Sequence, residues 1–150
     1  MAKEKMDKLV KELNVLVSNL SILSTKVRNY HWYIEGPGFF TLHKQYEEYY
    51  NSVALDVDLV AERLLIMGYK PLANTEEFLK TATLKDRKSE VIDTKESVGS
   101  LKQDFLLISK ELDELIDLSD EAKDDITNDM LIGLKTKYDK YIWMLNSFQG

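Results

Sequence analysis

Apolar residues recur at alternating spacings of three and four along four stretches of this 150-residue chain. The first stripe runs through Leu9, Leu13, Leu16, Leu20, Leu23, Val27 and Tyr30. The second runs through Phe39, Leu42, Tyr46, Tyr49, Val53, Val60 and Met67, with Asp56 and Arg63 interrupting it. The third takes Val98, Leu101, Phe105, Ile108, Leu112 and Leu115, and the fourth Leu131, Leu134, Tyr138, Tyr141, Leu145 and Phe148. That spacing keeps one apolar stripe on one face of a helix. No stretch sustains a period of two, so the pattern predicts an all-α chain without strands.

The breaks between stripes set the connections. Glu35-Gly36-Pro37-Gly38 separates helices one and two, and so short a turn makes them antiparallel neighbours. Gly68 and then Pro71 stop the second helix. Residues 69–93 form a long crossover, with a short helical piece expected at Thr75 to Lys80. Asp93 or Thr94 caps the third helix, with Glu96 in its first turn. Asp120 to Lys123 turns the chain into the fourth. Two tight connections and one long one join four helices in the ferritin-like manner. Without a repeat, a low-complexity tract or a composition shift, residues 1–150 are expected to form a single ferritin-like domain.

Composition agrees with long helices. The chain has only two prolines and six glycines, 44% apolar and 31% charged residues. A net charge of −6 repels nucleic acid and anionic membrane as a whole. There is no cysteine, so disulfides and thiolate metal sites are excluded and any metal must sit on His, Asp and Glu. No secretion signal is expected in MAKEKMDKLVKELN, and the apolar runs are too short to span a bilayer, so the expected compartment is the cytoplasm.

The only two histidines, His31 and His43, flank the Gly-Pro-Gly turn, which places them side by side. Helix two then carries His43, Glu47, Asp58 and Glu62 within about one quadrant, at roughly 3.6 residues per turn. The pairs 43/47 and 58/62 lie about 22 Å apart along the axis, at about 1.5 Å per residue, so one ion cannot touch both from one chain. A two-fold axis resolves this. Two copies of helix two, antiparallel and crossing near Ser52 and Val53, bring His43 and Glu47 of one chain opposite Asp58 and Glu62 of the other, twice. Each site then holds two imidazoles and up to three carboxylates, donors that suit Fe(II) and also Zn(II) or Mn(II) as competitors. No Glu stands three residues before either histidine, so a di-iron site in the bundle centre is not expected. The competing view, that each residue belongs to a solvated helix face, is weakened by both histidines joining the set.

The segment HWYIEGPGFFTLHKQYE, His31 to Glu47, followed by Asp58, Glu62 and Arg63, resembles the Dps miniferritins. DDITNDM (Asp124–Met130) and YIWML (Tyr141–Leu145) resemble the same family, so the likeness covers nearly the whole chain. The resemblance implies four-helix bundles with a short extra helix in the crossover, assembled as a dodecameric shell of two-fold dimers. It implies ferroxidase centres at dimer interfaces that oxidise Fe2+ to Fe3+, preferentially with hydrogen peroxide, and a ferric mineral stored inside, protecting against oxidative damage. Carried onto this chain, the ligands are His31, His43 and Glu47 of one subunit with Asp58 and Glu62 of its partner; the family usually has Asp where this chain has Glu47. Trp32 matches a tryptophan beside the centre that is suspected of trapping radicals, the alternative being a core aromatic. Asp120, Asp125 and Asp129 resemble acids lining three-fold iron-entry pores, the alternative being acids that favour a helix N-terminus.

Some members bind DNA through a basic tail. Here Lys3, Lys5, Lys8 and Lys11 are interleaved with Glu4, Asp7 and Glu12, and the apolar stripe begins by Leu9. A solvated helix face accounts for these lysines, and DNA binding is not expected. The alternative function is a DNA-binding, nucoid-compacting structural protein with incidental metal binding.

Overall fold

A computed structural model describes all 150 residues. Four long helices, α1 (Ala2–Tyr33), α2 (Phe39–Ile66), α4 (Thr94–Glu121) and α5 (Asp125–Gln149), pack as a bundle, with the short α3 (Thr75–Thr81) in the crossover. The α1–α2 and α4–α5 pairs are antiparallel hairpins, and α1 also packs on α4. Every residue of the first and third stripes is buried. In the second stripe Phe39 and Met67 are only half-buried, while Leu64, which the pattern did not include, is fully buried. In the fourth stripe Phe148 is exposed rather than buried, lying at the end of the last helix beside the Gly38 turn.

The strand-free expectation needs one correction. Ile34–Glu35 (β1) and Ile92–Asp93 (β2) form a two-residue parallel pair, Ile34 opposite Ile92. No period-two pattern could mark so short a pair. It forms because the crossover, after spanning the bundle, returns beside the α1–α2 turn. The same junction is tied by Thr94 Oγ1, which donates to the Pro37 carbonyl at 2.7 Å. Asp93 caps α4, its carboxylate accepting from the amides of Lys95 and Glu96. The turn carrying the histidines is therefore braced by the start of α4.

Two buried polar devices hold the crossover to the bundle. The Asn19 carboxamide oxygen accepts from the amides of Thr83 and Leu84, and its NH2 donates to Thr83 Oγ1 and, at 2.6 Å, to Glu111 on α4. Burial pushes the Glu111 carboxyl up to about 8 despite that Asn19 bond. Lys26 of α1 reaches Asp104 of α4 at 2.9 Å and the Lys85 carbonyl at 2.6 Å. Breaking either contact leaves a buried polar group unpaired, which costs about 1–3 kcal/mol or more.

Candidate metal centre

The last turn of α1 and the first of α2 bring the two imidazoles together. His31 is buried and His43 half-buried. Their rings stack with centroids 3.7 Å apart and planes 8° from parallel. Each ring bonds to the other residue's main chain: His31 Nδ1 to the His43 carbonyl at 2.5 Å, and His43 Nδ1 to the His31 carbonyl at 2.7 Å. A carbonyl only accepts, so both Nδ1 atoms carry protons. In the neutral ring each Nε2 then keeps its lone pair, the form that ligates a metal. Phe39 stacks on His43 at 5.0 Å, and the Tyr50 edge meets His31 at 5.4 Å. These contacts hold the pair in place from within one chain.

Gly38 makes this geometry possible. It is the N-cap of α2 with φ 85°, a left-handed conformation that side chains resist. Its position is also tight, since a Cβ there would meet Phe148 Cζ at 3.3 Å.

Glu47 stands one turn along α2, exposed, with the Tyr50 hydroxyl 3.4 Å from its Oε1. The Arg28 guanidinium lies 4.5 Å over the Tyr50 ring. Asp58 and Glu62 are exposed further down the same helix, and the chain's ion pairs all lie elsewhere. On one chain, no three His, Asp or Glu side chains come together closely enough to hold an ion. Around Asp58 and Glu62 the outer face of α2 exposes Leu55 at 68%, Leu59 and Ile66. At the level of the expected crossing this face is made by the neighbours of Ser52 and Val53. Val53 is fully buried and Ser52 bonds inward to Tyr141 at 2.9 Å, so at that level the outer side chains are Asn51, Ala54 and Leu55.

The two polar interruptions of the second stripe turn inward. Asp56 is buried and accepts from Lys137 Nζ and, at 2.6 Å, from the Tyr138 hydroxyl. Arg63 bonds Asp124 at 3.2 Å and Thr127 Oγ1 at 2.9 Å. Asp124 also caps α5 through the Thr127 amide. Burial pulls its carboxyl up, but the Thr127 bonds and the Arg63 charge together hold it below the usual range. Sequence reasoning did not assign Lys137, Tyr138 or Asp124. The one available signal was a charge sitting in an apolar stripe, which demands a buried partner.

Trp32 is 67% exposed, so it is no core aromatic in this chain. Asp120, Asp125 and Asp129 are all exposed around the α4–α5 turn, Asp120 accepting from Asn128 at 3.1 Å. They stand apart from the histidine pair, at the opposite end of α2. Lys3, Lys5, Lys8 and Lys11 are exposed on α1, which is already helical from Ala2.

The ferritin-like domain family matches this chain over residues 10–150. General stress protein 20U of Bacillus subtilis is 39% identical over 96% of this chain and 99% of its own length. DNA protection during starvation protein 2 of Bacillus anthracis is 36% identical, covering 93% and 95%. Among solved structures, Dps of Staphylococcus aureus superposes with a TM-score of 0.92 at 40% identity, over 96% of each chain. Dps of Vibrio cholerae, described as a member of a broad superfamily of ferritin-like diiron-carboxylate proteins, gives a TM-score of 0.92 at 29% identity, over 98% and 92%.

Proposed function

This chain belongs to the ferritin-like family, among the Dps miniferritins, and from that premise we propose that it is a ferroxidase that builds an iron-storage shell. Iron is its substrate and its cargo. His31, His43 and Glu47 of one subunit, with Asp58 and Glu62 of the partner subunit, form a site for two ferrous ions at a two-fold interface. Assembly as a dodecamer of such dimers encloses the ferric product.

The observation that carries this is the reciprocal Nδ1–carbonyl pairing of His31 and His43, which leaves both Nε2 atoms as the ring positions open to a metal, beside an exposed acid. Imidazole with carboxylate is a donor set suited to ferrous iron, with zinc and manganese as competitors. The exposed apolar strip on α2 supplies the reason for two copies to meet there. Antiparallel pairing at the level of Ser52 and Val53, made through outer side chains such as Ala54 and Leu55, brings His43 and Glu47 opposite the partner's acids.

The chemistry follows from the charge. Up to three carboxylates against two neutral rings favour the more highly charged ferric state and hold two one-electron donors together. Two ferrous ions reduce one hydrogen peroxide to two waters, taking up two protons, so the oxidant is consumed without releasing a hydroxyl radical. Trp32, exposed next to His31, intercepts stray one-electron oxidants. Asp120, Asp125 and Asp129, grouped about a three-fold axis, attract cations into the shell by their field.

The name of several relatives concerns DNA protection, and a DNA-compacting protein is the second reading. The basic residues here ride on a rigid helix with acids between them, so several uncompensated cations are not available to phosphates.

The test is anaerobic Fe(II) titration of the assembled protein, followed by peroxide. Two ferrous ions per histidine pair and two oxidised per peroxide are expected. A His31→Ala/His43→Ala variant should stay assembled and lose oxidation on the order of 100-fold or more; unchanged oxidation refutes the site. Saturable gel retardation of DNA at low salt would favour the second reading.

A further inference from the structure

Five tyrosines form a continuous file through the core. Ring centroids step from Tyr30 to Tyr46 at 6.1 Å, to Tyr49 at 6.4 Å, to Tyr141 at 4.7 Å and to Tyr138 at 5.7 Å. These are the separations of directly packed aromatic pairs. The file starts at the residue preceding His31 and ends beneath the outer face of α2.

Its members differ in what receives the phenolic proton. Tyr30, Tyr46 and Tyr141 bond to the hydroxyls of Ser100, Ser97 and Ser52. A serine hydroxyl is a very weak base. Tyr138 alone donates to a carboxylate, Asp56 Oδ2 at 2.6 Å, and both residues are buried. Loss of an electron makes a phenol a strong acid, so a tyrosine is oxidised most easily where a base stands ready on its O–H axis. A buried phenol beside a serine has no such outlet.

We propose that Tyr138 is a built-in one-electron oxidation site, which takes up oxidising equivalents through the tyrosine file and passes its proton to Asp56. The step balances. A one-electron oxidant of the hydroxyl-radical class takes one electron and leaves as hydroxide. The phenolic O–H bond breaks and the proton moves to Asp56 Oδ2. The products are a neutral phenoxyl radical and a carboxylic acid that still bonds Lys137. Burial, then the Asp56 charge and hydrogen bond, hold the Tyr138 phenol well above its ordinary range, so the resting ring keeps the proton it must lose. The same burial, with Tyr138 0% exposed, shields the radical from solvent and from cross-linking. This adds a sink inside the bundle to any interception at the surface. Its oxidant in the cell rests on the iron chemistry proposed above, but its test does not.

Assembled, iron-free protein is oxidised with a photogenerated ruthenium(III) polypyridyl complex, frozen at intervals and read by electron paramagnetic resonance. Exposed aromatic radicals decay first, and a long-lived tyrosyl signal is expected to persist. Tyr138→Phe, which keeps the ring, should reduce that persistent signal at least fivefold. Asp56→Asn, which keeps an acceptor atom but removes the base, should do the same. An undiminished signal in either variant overturns the proposal. A third sample, with 3-fluorotyrosine at position 138, needs no repacking. Fluorine splitting of the persistent signal is expected, and an unsplit signal overturns the assignment. Because light supplies the oxidant, failure here leaves the ferroxidase proposal standing, and loss of ferroxidase activity leaves this result intact.

Discussion

At the α1–α2 turn, His31 and His43 are stacked, sheltered and hydrogen-bonded to each other's main chain. Fifteen residues beyond His43 on α2, Asp58 and Glu62 stand exposed beside Leu55 and Leu59, with no donor partner from their own chain. The imidazole half of the proposed site is organised before any partner arrives. The carboxylate half is organised only by one. The difference follows from cost. A neutral ring pair loses little when buried, provided its N–H groups find carbonyls. Two bare carboxylates buried in one chain would have to be paired or neutralised. Leaving them in water until a metal and a second subunit compensate them avoids that penalty.

The strongest way to break this contrast is to deny the acids their partner. Leu59→Lys places a charge in the apolar strip of α2 and, by symmetry, does so twice in each dimer. Light scattering should show loss of the shell, and Fe(II) oxidation should fall on the order of 100-fold, although every ligand is still present. The downfield Nδ1–H proton resonances of His31 and His43 should persist in the dissociated protein. Full activity in a monomer would end the idea that the halves come from different subunits.

The histidine half is tested from its turn. Gly38→Ala forces a side chain into φ 85° and against Phe148. Chemical denaturation should show a loss of about 1–3 kcal/mol, with both Nδ1–H resonances shifted. Retained stability would mean that the turn does not hold the pair.

Glu111 sharpens the argument about buried acids, since it is one that stays inside. Its carboxyl is raised from 4.5 to about 8, chiefly by burial. The folded state therefore holds a proton that the unfolded chain gives up, and stability falls as pH rises between about 4.5 and 8. Glu111→Gln should flatten that slope and raise the melting temperature at pH 8, by about 2–4 °C for each kcal/mol relieved. Thermal melts at pH 5 and pH 8 measure the difference. An unchanged slope would show that this carboxyl ionises without cost.

The smallest effect expected is at Glu47. Glu47→Asp shortens the acid nearest the histidines, and a few-fold tighter second ferrous ion should appear in anaerobic titration, with assembly unaffected. Weaker binding would show that the longer arm fits this site.

Much of the architecture can be read from the chain because burial leaves a local signature. A helix that buries one face must repeat its apolar residues every three or four positions, so the stripes, the breaks at Gly36–Gly38 and Gly68, the α3 segment and a cap at Asp93 or Thr94 are all visible in order, the structure choosing Asp93. Spacing also put the two histidines at one turn and the pairs His43/Glu47 and Asp58/Glu62 on one quadrant of α2. The β1–β2 pair was not visible, because two residues carry no period and the pairing depends on where a distant crossover returns. Nor were the partners of Asp56 and Arg63, since Lys137, Tyr138 and Asp124 are all more than sixty positions away and nothing local links them.

The sequence by itself thus determined the helices, their order and which chemical groups lie at which level of the bundle, because helical periodicity and turn chemistry are local properties. Only the tertiary structure decided which face of α2 meets solvent, which nitrogen of each imidazole is committed to a carbonyl, and which charges are paired inside. Those are decided by contacts between residues far apart in the chain, where the cost of an unsatisfied polar group selects one arrangement and the linear order is silent.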